Sequence, residues 1–161
     1  MLKAACGMLV LAAAIAGCAA PLDRHNAAAP DRLTPAQIVA ARQAAFHMSG
    51  AAMGNMRAVI ERGGDVSGQA YAARGVARWA QALATMFPAS TAAITPSRAR
   101  QEIWANKADF EAKAAAFAAA AQRLAEVAAS GDKEAFAAQH RATGATCGAC
   151  HDLYQVPQQR P

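Results

Sequence analysis

Residues 112–129 read AKAAAFAAAAQRLAEVAA, and this run decides the fold class. Alanine is the strongest intrinsic helix former because it gives up no side-chain entropy in a helix. β-Branched residues are sparse along the chain, so nothing competes for strands. An all-α chain is expected.

Punctuation divides the chain outward from that run. Its helix covers Ile103 and Trp104 through Phe110, Phe117, Leu124 and Val127 after a short irregular start, and closes at Ser130-Gly131. The next helix opens at Asp132 as N-cap, carries Phe136 and ends beyond His151. Towards the N-terminus, Thr34-Pro35 is a cap followed by proline at the first helical position. Apolar or small residues at Ile38, Ala41, Ala45, Ala52, Met56 and Val59 or Ile60 carry that helix to Gly63-Gly64. Another helix starts near Asp65 or Ser67, runs through Tyr71, Trp79 and Leu83, and stops at Phe87-Pro88. A loop rich in Pro, Ser and Thr follows, to about Ser97.

Four helices with mostly short connections predict an antiparallel up-and-down four-helix bundle over residues 34–156, with sites built between facing helices. Residues 157–161 form a tail. A length of 161 residues is enough for one domain and one core. Helices this rich in alanine carry little side-chain volume for an ordinary tight core, so something else is expected to fill the middle.

The net charge is +5, and twelve of the sixteen cations are arginine. They are scattered among acidic residues, without the basic stripe and stacking aromatics of nucleic-acid recognition, so a solvated surface is expected and no nucleic-acid partner. The N-terminus, MLKAACGMLVLAAAIAGCAAP, has one lysine and then an apolar stretch from Ala4 to Ala16. That stretch is too short to span a bilayer as a mature helix and has the form of an export signal. Ile15-Ala16-Gly17-Cys18 resembles the bacterial lipobox, in which the cysteine is lipidated and becomes the mature N-terminus. Ordinary cleavage after Ala20 would leave Pro21 directly behind the cut, which is poorly tolerated. Residues 1–17 are therefore read as a lipoprotein-type signal, Cys18 as the lipidation site and 18–33 as a flexible tether. The expected location is the periplasm, on a lipid anchor in a bacterial membrane. Cys6 belongs to the signal, which leaves Cys147 and Cys150 in the body.

Those two stand in GATCGACHDLYQVP, residues 144–157. A CxxCH motif can be a redox pair, half a zinc site or a haem anchor. On a helix, Cys147 and Cys150 share a face and His151 lies one turn after Cys147. That geometry suits two thioether bonds to one edge of a porphyrin with the imidazole on the iron. A thioredoxin-like pair needs a strand followed by a helix N-terminus, which lowers the thiol pKa; here the motif ends a helix. Zinc needs two more ligands, and the body offers His47 and His140. The reading is a single covalently bound haem c, with Cys147 and Cys150 as attachment points and His151 as proximal iron ligand. Export agrees, because c-type haem is attached in bacteria on the outer side of the inner membrane.

With CxxCH on the last of four helices, residues 35–156 resemble cytochromes c′, the four-helix class of c-type cytochromes. The resemblance is strongest in QEIWANKADFEAKAAAF, residues 101–117, and in the closing GATCGACHDLY. It implies that Arg42 meets a haem propionate, which suits an arginine on a small apolar face. It also implies that Phe46, one turn on, covers the open side of the iron, where low-spin electron-carrying relatives place a ligating methionine. Phenylalanine has no lone pair, so a five-coordinate, high-spin iron is expected, binding nitric oxide and carbon monoxide, with one-electron transfer to an unidentified periplasmic redox partner as an associated activity. The resemblance further implies a homodimer through the first two helices, where Gly50, Ala51 and Gly54 permit close approach. One departure stands out: many members carry a cation after the tyrosine that follows CxxCH, and here Tyr154 is followed by Gln155.

Two rival readings remain. If the first helix were rotated, Met48 or His47 would ligate the iron and give a six-coordinate electron carrier. Weak peroxidase activity is the other, although Phe46 supplies no distal acid or base and a dedicated enzyme is not expected. Met53 and Met56 read as gap-fillers, Trp79 and Trp104 as packing residues and His140 as exposed, while His25 belongs to the tether.

Overall fold

The computed structural model describes residues 32–157. The signal, Cys18, His25, all but the end of the tether and residues 158–161 lie outside the described residues. Among those described there are five α-helices: α1 Pro35–Glu61, α2 Ala70–Ala82, α3 Glu102–Ala105, α4 Lys107–Ser130 and α5 Lys133–Tyr154. The four long ones form the expected four-helix bundle, and α3 is a single turn leading into α4. No helix among the described residues is long and apolar enough to cross a membrane.

The helix ends follow local chemistry. Thr34 Oγ1 accepts from Gln37 N at 3.3 Å while Gln37 Oε1 accepts from Thr34 N at 2.8 Å, a reciprocal capping box ahead of Pro35. Gly63 and Gly131 take the left-handed conformation, at φ +64° and +75°, that lets the chain leave α1 and α4 sharply. Asp132 Oδ1 accepts from Ala135 N at 2.9 Å and starts α5. The second helix differs from expectation at both ends: Ser67–Gln69 and Leu83–Met86 are 3₁₀ turns flanking a shorter α2. The helix expected to run on from Ile103 and Trp104 is instead interrupted at Asn106, whose backbone (φ −115°, ψ 48°) leaves the helical region and separates α3 from α4.

Alanine acts otherwise than its low volume suggested. Ala73, Ala77 and Ala80 on α2 and Ala121, Ala125 and Ala128 on α4 are buried, and α2 and α4 form the most extensive helix pair of the bundle. Small side chains bring these two backbones close instead of leaving the middle hollow. Phe136 and Leu124, both at 0% exposure, anchor the core beside them, at about 1.5–3 kcal/mol each for full burial. On α5, Thr143 Oγ1 and Gln139 Nε2 donate to Ala120 O of α4 at 3.2 and 3.0 Å. By contrast α1 buries only Val39, Arg42 and Met56. The open volume lies on the side of the bundle that α1 closes.

Candidate functional site

That volume is a cavity of about 840 Å³ bordered by α1, the end of α2, residues 97–99, α4 and α5. Cofactor sites commonly enclose roughly 300–1,000 Å³ with largely apolar walls. Aromatic rings form much of the wall here. Phe46 stands edge-to-face with Trp79 at 5.3 Å between centroids and 6.4 Å from Phe87; Phe87 packs on Phe110 at 4.9 Å, and Phe110 on Tyr154 at 5.4 Å. Tyr154 hydroxyl donates to Asp109 Oδ2, which ties α5 to α4 at the end of this row of rings.

Five side chains singled out in the sequence border this one cavity: Arg42 and Phe46 from α1, and Cys147, Cys150 and His151 from α5. The helical spacing of CxxCH delivers both thiols and the imidazole to the same wall. The cysteines form no disulfide and are partly buried, and Cys147 Sγ approaches Thr143 O at 3.6 Å. Burial raises the pKa of both, and the neighbouring Cys147 raises Cys150 further. A thiol pair near a helix C-terminus with raised pKa is the reverse of a thiolate redox centre. Among the described residues no group of three or more His, Cys, Asp or Glu side chains is arranged to hold a metal ion by itself. His151 is exposed and borders the cavity; partial desolvation, and then Arg98, lower its pKa, so the imidazole is neutral at pH 7 with a lone pair to give.

Arg42 supplies a test of what the cavity suits. It is 2% exposed. Nη1 donates to Met86 O at 3.1 Å and to Thr91 Oγ1 at 3.0 Å, Nη2 donates to Ser97 Oγ at 3.2 Å, and the guanidinium lies 4.2 Å over the Phe87 ring. Every one of these partners is neutral, and no described carboxylate forms an ion pair with it. Burial accordingly lowers its pKa. A buried cation without an anion is costly, and three bonds leave some of its five N–H donors unused. A cavity holding two thiols, a neutral imidazole and an uncompensated guanidinium between aromatic walls fits a flat, apolar, iron-bearing macrocycle with carboxylate arms. The residues present fit haem c.

The remaining candidates separate. Met48 is 73% exposed and does not border the cavity, whereas His47 does, at its rim. Met56 is core, as read; Met53 packs against that core and also borders the cavity. Trp104 is a packing residue whose Nε1 donates to Phe87 O and Pro88 O, both at 3.2 Å. Trp79 also packs, but its buried Nε1 has no partner. His140 departs from expectation: it is half-buried because Nε2 meets Met53 O at 2.9 Å, joining α5 to α1 beside the cavity. Gly50, Ala51 and Gly54 are exposed on α1, and Gly50 and Gly54 also border the cavity. Gln155, singled out as the departure after Tyr154, borders the cavity too, and sequence reasoning missed Arg98 and Lys113, which do so as well. Helical spacing from Phe110 and Phe117 could have found Lys113; no local pattern marks Arg98, which arrives on a loop.

Residues 37–155 match the family profile described as cytochrome C′. The cytochrome c′ of Pararhodospirillum photometricum is 30% identical over 125 residues, covering 76% of this chain and 98% of that protein. Among solved structures, a cytochrome c′ described as having ligand-controlled dimer dissociation superposes with a TM-score of 0.74 at 29% identity, over 78% of this chain and 99% of that one. Variants of cytochrome c′ from Alcaligenes xylosoxidans, one in complex with nitric oxide and one with carbon monoxide bound, each reach 0.69 at 27% identity, over 77% and 76% of this chain and 98% and 97% of theirs. Fold, cavity and sequence profile meet in one conclusion: the chain belongs to the cytochrome c′ family of periplasmic proteins, which carry covalently bound haem c.

Proposed function

We propose that this protein reversibly binds nitric oxide, and carbon monoxide, at a five-coordinate haem iron, with one-electron transfer as an associated activity. Cys147 and Cys150 would hold the haem through thioether bonds and His151 would ligate the iron. When bound, the haem supplies an iron that takes a diatomic gas and exchanges one electron. Arg42 offers its unused N–H donors to a propionate and gains the anion that its buried charge lacks. Phe46 covers the distal side with an apolar ring that gives no lone pair and no hydrogen bond. Nitric oxide and carbon monoxide depend less on a distal donor than oxygen does, so such a cover favours them. The NO- and CO-bound relatives support this reading. The observation that carries it is the register of α1: Phe46 borders the cavity while Met48 points away from it.

His47 at the cavity rim supports a second reading, a six-coordinate electron carrier. Absorption spectra of the dithionite-reduced protein with and without nitric oxide decide between the two. A broad high-spin spectrum that changes with the gas is expected. Sharp low-spin α and β bands indifferent to the gas would transfer the function to electron carriage, and no haem spectrum from a host competent in c-type maturation would overturn both. We further propose that Cys18 carries a lipid anchor, tested by mass spectrometry of the mature N-terminus, and that exposed Gly50, Ala51 and Gly54 on α1 lie in a homodimer contact.

A further inference from the structure

Immediately beyond α5 the chain is clasped to the loop that precedes α3. Arg100 N donates to Tyr154 O at 3.0 Å and Val156 N to Arg98 O at 2.8 Å, with Ala99 and Gln155 paired as an antiparallel bridge between them. Arg98 is held by its side chain too, Nε donating to Val156 O at 2.9 Å. His151 sits in the last turn of α5, where its carbonyl accepts from Gln155 N at 3.1 Å. The clasp therefore brings a guanidinium from a distant loop to the wall that carries His151, and Arg98, Gln155 and His151 all border the cavity. In this stretch the end of α5 contributes the acidic Asp152, and the residue after the helix is the neutral Gln155.

We infer that Arg98 tunes the haem site by its charge: clasped beside the wall that carries His151, it favours the ferrous over the ferric iron. The inference rests on the haem reading above. Reduction adds one electron and no proton, so the charge of the site falls by one, and a fixed cation nearby stabilises the reduced state relative to the oxidised one. Arg98 is exposed, so its influence is screened by salt, with a Debye length of about 30 Å at 0.01 M and about 3 Å at 1 M.

The test is spectroelectrochemical titration of the full haem-loaded protein, wild type, Arg98→Gln and Arg98→Lys, at low and high ionic strength. The expected result is a lower midpoint potential for R98Q, a potential near wild type for R98K, and a gap between R98Q and wild type that narrows in salt. R98K removes the Nε bond to Val156 and keeps the charge. Equal falls in both variants without salt dependence would therefore mean that the clasp acts mechanically, and the inference would fail. Unchanged potentials in both would overturn it as well. These outcomes require haem to be present; a wild-type chain without covalent haem would instead remove the reading beneath it, and the two failures are told apart by the spectrum alone.

Discussion

Arg42 is a full charge surrounded by a carbonyl, two hydroxyls and an aromatic face. Its worth should depend on what shares the cavity. In a Cys147→Ala/Cys150→Ala chain, which cannot attach haem, Arg42→Met removes three hydrogen bonds and also a buried uncompensated charge, so the two effects offset each other. In the loaded protein the same substitution also loses a charge-assisted pair, about 1.5–3 kcal/mol, or a few degrees of Tm. Calorimetry of the four proteins should show the larger drop in the loaded pair; equal drops would mean that no anion meets Arg42. Single residues were legible in the sequence to very different degrees. Cys147, Cys150 and His151 are adjacent in the chain, so their spacing alone states their geometry. Arg98 is brought to Val156 across 58 positions by a two-stranded clasp, and spacing carries no trace of such a pairing. His140 looked exposed because its partner is a backbone carbonyl on another helix, which no side-chain pattern encodes.

At the level of helices, the α2–α4 contact and the α4–α5 tie each make a prediction. Ala121 on α4 has 0% exposure within the core cluster, so Ala121→Leu should separate closely packed backbones at a cost of about 1–3 kcal/mol, read as a lowered denaturant midpoint. Leucine accepted without loss would mean that alanine merely leaves space there. The Tyr154–Asp109 hydrogen bond couples α5 to α4 with a definite pH dependence. Tyr154 is pushed up from 10.0 to about 12, chiefly by that bond. The folded state therefore holds the phenolic proton more tightly than the unfolded state, and the bond's contribution is complete below pH 10 and disappears as pH rises towards 12. On the acid side, Asp109 is held below the ordinary carboxylate range by Tyr154 and then Lys113, so its contribution is present above that range and lost as acid protonates it. Tyr154→Phe should flatten the decline in stability between pH 10 and 12, measured by urea unfolding at each pH; an unaltered slope would assign the decline to other groups. Helix boundaries were legible wherever a cap or a glycine marks them, at Thr34, Gly63, Gly131 and Asp132. The break at Asn106 was not, since the surrounding residues carry no proline or glycine and the chain turns there to seat Trp104 against Phe87 O and Pro88 O.

Across the whole molecule, burial is divided unevenly. The α4 helix buries eight side chains and α2 five, whereas the longest helix, α1, buries three. Polar bonds fix α1 at separated points: Arg42 and Gln43 hold it to the loops after α2, and His140 holds it at Met53. Few buried apolar contacts mean a low free energy of local opening. Hydrogen exchange of the Cys147→Ala/Cys150→Ala chain should show the amides of α1 exchanging well ahead of those of α4, and equal protection would refute the division. The bundle topology was legible from four helical segments and their short connections, but this unevenness was not, because alanine content, eight of 27 residues in α1 and twelve of 24 in α4, does not say what a helix faces. The division also bears on assembly. Every buried member of the contiguous core cluster but Met56 lies between Val66 and Tyr154, so α1 closes a core that the rest of the bundle builds largely among itself.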